Sequence, residues 1–205
     1  MIVAACTNAG ITQCAEVIKN GGIVVYPTDT VYGIGCDPYN QTAVERVFKI
    51  KNREKSKPLP VLVCDRDYAL RLVELGEMGR LLADRYWPGS LTIVAPVLDR
   101  SISSMISAGT DRLGVRVPAN KCVLSLLHQC KCLVGTSANL SGVAPPRSAN
   151  DVLGSGLQGF DFLLDGGSVG SAKESTIIDI TNLSIIREGA ISSERIRETL
   201  GAAKP

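Results

Sequence analysis

Short apolar, β-branched runs alternate along the chain with segments in which apolar residues return every three or four positions. The runs GGIVVYP (21–27), LPVLVC (59–64), SLTIVAP (90–96), LGVRVP (113–118) and CLVGTSA (132–138) are rich in Val, Ile and Leu, with glycine or proline at their edges. That is the pattern of buried strands. Between them, 9–20, 41–51, 66–75, 77–87 and 120–130 carry the helical period, and Asn40 is placed to cap the second, ahead of Val44, Val47 and Phe48. Beyond FDFLLDGG (160–167), the segments 175–180 and 183–187, joined by Thr181 and Asn182, predict an antiparallel pair, and SSERIRETL predicts a last helix capped by Ser192. The sum is an α/β domain whose sheet is twisted and mixed rather than purely parallel.

Length and composition narrow this picture. A chain of 205 residues with 45% hydrophobic content buries one substantial core, so residues 1–205 are expected to form a single domain. No apolar stretch approaches the roughly 20 residues of a membrane helix, and no N-terminal segment has a leader's pattern, so a cytoplasmic protein without membrane contact is expected. The seven cysteines are odd in number and lack CxxC spacing, which favours neither a disulfide framework nor a zinc site and suggests small buried side chains. The single histidine, His128 in VLSLLHQC, excludes a multi-histidine metal site, argues against a Ser-His-Asp triad and reads as a satisfied structural residue. No phosphate-binding loop of the G-x-x-x-x-G-K-[ST] or G-x-G-x-x-G kind is present, and GIGCDP is only a Gly-x-Gly. A bound nucleotide must be held by other means.

Charge supplies a candidate. The chain carries 22 Lys+Arg against 20 Asp+Glu, a net of +2, yet residues 45–57 alone hold six basic and two acidic groups. Such a local excess suits a small polyanion better than a long nucleic-acid coat.

Four polar segments adjoin the predicted strands. YPTDTVYGIG (26–35) sets Thr28, Asp29, Thr30 and Tyr32 in a proline-introduced bend, where an ordinary turn capped by side chains is the alternative to a site. In VFKIKNREKSKPL (47–59), Lys51, Arg53 and Lys57 stand where a helix gives way to an extended KPLP, so alternation would turn them to one side. Phosphate binding competes there with a solvated helix end, whose dipole welcomes cations anyway. In RLGVRVP (112–118), Arg116 points away from Val115 and Val117, and either an internal salt bridge or a substrate carboxylate must partner it. In VGTSANLSG (134–142), Thr136, Ser137, Asn139 and Ser141 can bond loop backbone or offer neutral donors to phosphate oxygens.

In order and spacing these segments, with WPGSLTIV and STIIDI…IIREG, resemble the YrdC family of L-threonylcarbamoyladenylate synthases over about residues 10–195. The combination of Lys-x-Arg with Ser-x-Asn is the specific part. The resemblance implies a mixed sheet around a deep, positively charged cavity. It also implies an enzyme, a nucleotidyltransferase that combines L-threonine, bicarbonate and ATP into threonylcarbamoyl-AMP and pyrophosphate. A downstream threonylcarbamoyl transferase complex would then modify tRNA position 37. Lys51, Arg53, Lys57, Ser137, Asn139 and Arg187 would hold ATP, with Lys51 and Arg53 catalytic, and Thr30, Arg116, Thr136 and Ser175 would hold threonine. Leu62 departs from the pattern, because some longer relatives carry a histidine there, which leaves that contact to threonine in doubt.

The expected chemistry needs cations at the departing pyrophosphate and no histidine base, since the attacking carboxylate is already anionic. Mg²⁺ would enter with ATP, held mainly by phosphate oxygens and water, and no protein metal site is expected. A contrasting expectation is an RNA-binding module that lays the same surface on tRNA or double-stranded RNA. The 4% aromatic content counts against base stacking. A third is a relative with a different acyl acceptor, which only substrate assays separate.

Overall fold

A computed structural model describes residues 1–170 and 173–202. Its strands form two mixed sheets where the sequence suggests one. The first runs through β1 (Ile2–Ala5), β2 (Val24–Tyr26), β3 (Gly33–Gly35), β8 (Thr136–Ser137) and β9 (Phe162–Asp165), in the order β1-β9-β2-β3-β8. The second is ordered β11-β10-β5-β6-β4-β7, from β4 (Val61–Val63), β5 (Leu91–Pro96), β6 (Arg112–Arg116), β7 (Cys132–Val134), β10 (Thr176–Asp179) and β11 (Ser184–Arg187). As predicted, β10 and β11 are antiparallel.

The division into two sheets follows from one glycine. The predicted strand 132–138 breaks at Gly135, so that β7 pairs with β4 in one sheet and β8 with β3 in the other. A Cβ at Gly135 would come within 2.5 Å of the Leu62 side chain, so only glycine lets the chain cross there. The equally short β3 is built from Gly-Ile-Gly and β1 from an exposed N-terminal segment. Neither carries a long β-branched run, and neither was legible as a strand.

The helices are α1 (Asn8–Lys19), α2 (Gln41–Ile50), α3 (Arg66–Leu72), α4 (Gly76–Tyr86), α5 (Lys121–Cys130), α6 (Ala149–Gly154) and α7 (Ser193–Gly201). Asn40 and Ser192 cap α2 and α7 as the sequence predicts, and Thr7, Asp65, Asn120 and Ser148 cap four others by accepting backbone N–H groups. None of these helices is long and apolar enough to cross a membrane.

One cysteine finding corrects the sequence reading. Cys6 and Cys122, 116 positions apart, form a disulfide, because the packing of α1 on α5 brings their ends together. Spacing could not reveal it. The other five are free; Cys14, Cys36, Cys64 and Cys132 are buried and Cys130 is half-buried, the small core side chains expected. His128 lies exposed on α5.

Candidate active site

A cavity of about 390 Å³ opens between the two sheets. Its walls include Thr30, Lys51, Arg53, Lys57, Arg116, Thr136, Ser137, Asn139, Ser175 and Arg187, so every residue that the family resemblance assigns to ATP or threonine reaches one hollow, while Asp29 and Tyr32 of the first polar segment do not line it. Five lining side chains are cationic (Lys51, Arg53, Lys57, Arg116, Arg187) and one, Glu174, is anionic. Lys49 and Lys55 of the same basic segment are exposed to solvent instead.

The means of convergence differ from expectation. Residues 51–57 do not extend and alternate; they turn. Lys51 ends α2, Asn52 takes a left-handed φ of 48°, and Lys57 N–H closes a turn on the Glu54 carbonyl at 3.1 Å. Arg53 curls over this turn, donating from Nε to the Lys57 carbonyl at 3.2 Å and from NH2 to that of Pro58 at 2.9 Å. Lys57 sits further out, with its ammonium 3.1 Å from Glu54.

Lys51 is only 2% exposed, and its Nζ donates to the Ser137 carbonyl and, at 2.7 Å, to that of Asn139. In return the Lys51 carbonyl accepts from Ser141 N–H at 3.1 Å and Ser141 Oγ at 3.2 Å. The ammonium therefore stitches the Ser-x-Asn loop to the end of α2 and keeps one N–H for the cavity. Burial, then the neighbouring Arg53 charge, pushes its pKa down to about 8, with Glu174 opposing. Asn139 spends both amide N–H groups on the carbonyls of Leu140 (3.0 Å) and Val143 (2.6 Å). What it offers a ligand is an acceptor, contrary to the donor role expected toward phosphate. Its Oδ1 is buried without a partner, alone in this among the described side chains.

At the other end, Thr28 Oγ1 builds the side-chain-capped turn anticipated as the ordinary alternative, accepting from Thr30 N–H at 3.1 Å and Val31 N–H at 3.2 Å. The same turn carries the site. Arg116, 5% exposed, donates from Nε to the Gly89 carbonyl at 2.9 Å, from NH1 to Thr30 Oγ1 at 3.2 Å and from NH2 to Asp29 Oδ1 at 2.7 Å. The internal salt bridge and the cavity-facing guanidinium thus coexist: three of a guanidinium's five N–H groups are used and two remain. Burial alone would raise the Asp29 pKa, but Arg116, the Ser90 hydroxyl and the Ala119 N–H outweigh it and hold the carboxyl below the usual range.

Ser175 pairs with Thr92 through their hydroxyls at 2.8 Å, and Arg187 donates to the Ser175 carbonyl at 3.0 and 3.2 Å and to Glu174 at 2.7 Å. Thr92 and Glu174 were missed, the first because it stands among apolar strand residues, the second because nothing local marks it. Leu62 lines the cavity as an apolar side chain. Among the described residues no group of three or more His, Cys, Asp or Glu could hold a metal ion.

The family model Sua5_yciO_yrdC, described as "Telomere recombination", matches residues 16–189. The chain is similar to the threonylcarbamoyl-AMP synthase of Pyrococcus abyssi (strain GE5 / Orsay), 34% identical over 195 residues, 93% of this chain and 57% of that protein. It thus spans little more than half of that relative. It is also similar to the threonylcarbamoyl-AMP synthase of Idiomarina loihiensis, 34% identical over 82% of this chain and 92% of the relative. The crystal structure of P. abyssi Sua5 complexed with L-threonine superposes with a TM-score of 0.93 at 32% identity, covering 98% of this chain and 61% of that one.

Proposed function

The chain belongs to the Sua5/YciO/YrdC family, and from that premise we propose that it is an L-threonylcarbamoyladenylate synthase working in the cytoplasm. L-threonine, bicarbonate and ATP are its substrates, and threonylcarbamoyl-AMP, pyrophosphate and water its products, the water leaving when the threonine amine and bicarbonate join as N-carboxy-threonine. The observation that carries this reading is the gathering of Lys-x-Arg, Ser-x-Asn, Thr30, Arg116 and Ser175 around one cavity.

The two ends of that cavity suit two kinds of anion. At one end Arg116 has two N–H groups to fork onto the threonine carboxylate, beside Thr30, Thr136 and Ser175. At the other, Arg53, Lys57 and Arg187 face the polyphosphate, and the Lys51 ammonium, fixed by two carbonyls, is held still for it. A carboxylate oxygen of N-carboxy-threonine attacks the α-phosphorus, the bond from that phosphorus to the bridging oxygen breaks, and pyrophosphate leaves with the electron pair. The nucleophile carries its own charge, so no side chain need remove a proton at this step, and His128 stands outside the cavity. Cations fixed around the departing oxygens lower the barrier because they need no reorganisation as charge develops.

Mg²⁺ belongs to this reading as part of the nucleotide substrate. The cavity's single lining carboxylate is Glu174, already paired with Arg187, and its other oxygen donors are neutral, Asn139 Oδ1 and the Ser and Thr hydroxyls, a set that fits a metal carried mostly by phosphate oxygens and water. Contact with tRNA would fall to Lys49 and Lys55, exposed cations of the basic segment that lie outside the cavity. A downstream transferase takes the adenylate. The test is incubation with ATP, threonine and bicarbonate, with mass detection of the adenylate and a pyrophosphate assay. A product that appears only when all three are present supports the reading, and its absence ends it.

A further inference from the structure

We infer that Asp29 is the positioning and selectivity residue of the amino-acid end: it orients Arg116 for one carboxylate and, by cancelling its charge, turns phosphate away from it. The inference rests on the function proposed above and adds a role that none of the cavity-lining residues can supply.

Asp29 is not on the cavity wall; it stands behind Arg116. Its carboxylate is held by three donors from two chain segments, 116–119 and the turn at 89–90. Oδ1 accepts from Arg116 NH2 at 2.7 Å and from Ala119 N–H at 2.9 Å, and Oδ2 accepts from Ser90 Oγ at 2.8 Å. Ser90 lies in the turn whose Gly89 carbonyl takes Arg116 Nε, and Ala119 adjoins Asn120, the cap of α5. The anion is therefore immobile, and the guanidinium it grips is fixed on three of its edges.

Charge gives a second reason. All five cationic side chains of the cavity attract a polyphosphate, yet the reaction needs the triphosphate at one end and a singly charged carboxylate at the other. Arg116 with Asp29 makes a buried pair of zero net charge, whose partner's removal would leave an uncompensated ion. What Arg116 then presents is a two-pronged donor with little net field, suited to a planar carboxylate by geometry. Arg53 has no carboxylate bound to it, and the pairs that Lys57 and Arg187 make with Glu54 and Glu174 lie open to solvent, their side chains 54%/68% and 37%/33% exposed against 6%/15% for Arg116 and Asp29, so those three keep their pull on phosphate.

Two variants separate the orienting from the charge effect. Asp29→Asn keeps an acceptor for Arg116 and Ala119, and the Ser90 hydroxyl can turn to accept from the new amide, so it removes charge and preserves the grip. Asp29→Ala removes both. Calorimetric threonine binding, measured with and without pyrophosphate, is expected to give three patterns. In the wild-type protein pyrophosphate leaves the threonine Kd within twofold. In Asp29→Asn the Kd alone stays near wild type, but pyrophosphate raises it competitively. In Asp29→Ala the Kd rises about tenfold or more, as for the loss of a hydrogen bond to a charged group. Pyrophosphate without effect on threonine binding in Asp29→Asn overturns the charge role, and a wild-type Kd in folded Asp29→Ala overturns the orienting role. Should Asp29→Ala not fold, a raised threonine Kd in Ser90→Ala, which frees Oδ2, tests orientation instead, and an unchanged Kd there overturns it. A wild-type protein that binds no threonine at all defeats the proposed function, a separate outcome.

Discussion

Lys51 and Asn139 are 88 positions apart, yet the Lys51 ammonium donates to the Asn139 carbonyl at 2.7 Å inside the protein. A buried ammonium tied to neutral carbonyls lacks a counter-ion, which is why burial lowers its pKa to about 8. The folded value lies below the unfolded one of 10.5. Between those two pH values the unfolded chain holds more protons, so the share of stability linked to Lys51 rises with pH across that window and is at its minimum below pH 8. Polyphosphate beside Lys51 restores the missing counter-charge and raises its pKa. ATP binding at pH 8 is therefore expected to take up a proton, by up to roughly half per site. Calorimetry in buffers of different ionisation enthalpy measures this, and Lys51→Met should abolish it.

Arg53 and Lys57 are expected to differ. Arg53 is half-buried and bonded to two carbonyls of its own turn, so Arg53→Ala removes a cation and the support of residues 57 and 58. Loss of a desolvated charge contact costs about 2–5 kcal/mol, which places pyrophosphate release roughly 30-fold or more below wild type. Lys57 is exposed and already meets Glu54, so Lys57→Ala should lower the rate by less than about tenfold, in keeping with the small energies of exposed pairs. Equal losses in the two variants would contradict the geometry.

Two glycines give opposite expectations. A Cβ at Gly35 would lie 1.7 Å from the Val134 carbonyl oxygen, a backbone atom that cannot step aside. Gly35→Ala is expected to destabilise the fold by about 3 kcal/mol or more. A Cβ at Gly154, at the end of α6, would meet nothing within 4 Å, and the backbone there has no left-handed φ. Gly154→Ala should stabilise by about 0.5–1 kcal/mol. Chemical denaturation of both variants decides each.

Much of this fold is written locally. Asn40 and Ser192 announce their helices because a capping side chain acts within three residues. Arg116 announces itself because an ionic residue among Val115 and Val117 has to be paired. What sequence could not supply were relationships across distance. Asp29 and Arg116 were each conspicuous, but their bond spans 87 positions. The cations at 51, 53 and 57 were placed correctly at the site and wrongly in conformation, since a left-handed Asn52 and a turn at 54–57 leave a weaker imprint than proline does. The second sheet was hidden because Gly135, the residue that divides β7 from β8, reads in isolation as one more glycine in a strand.

The bond between Cys6 and Cys122 gives the molecule a mechanical short circuit. When the chain is stretched from its two ends, tension passes from one sulfur to the other and bypasses the 116-position loop that contains Lys51, Arg53 and Arg116. Ser137, Ser175 and Arg187 lie on the stretch that bears load. Force would therefore strip one wall of the cavity away while the opposite wall remained a closed ring. Adding a reductant in an optical trap should release that ring as a further extension of roughly 400 Å, at about 3.4 Å per residue.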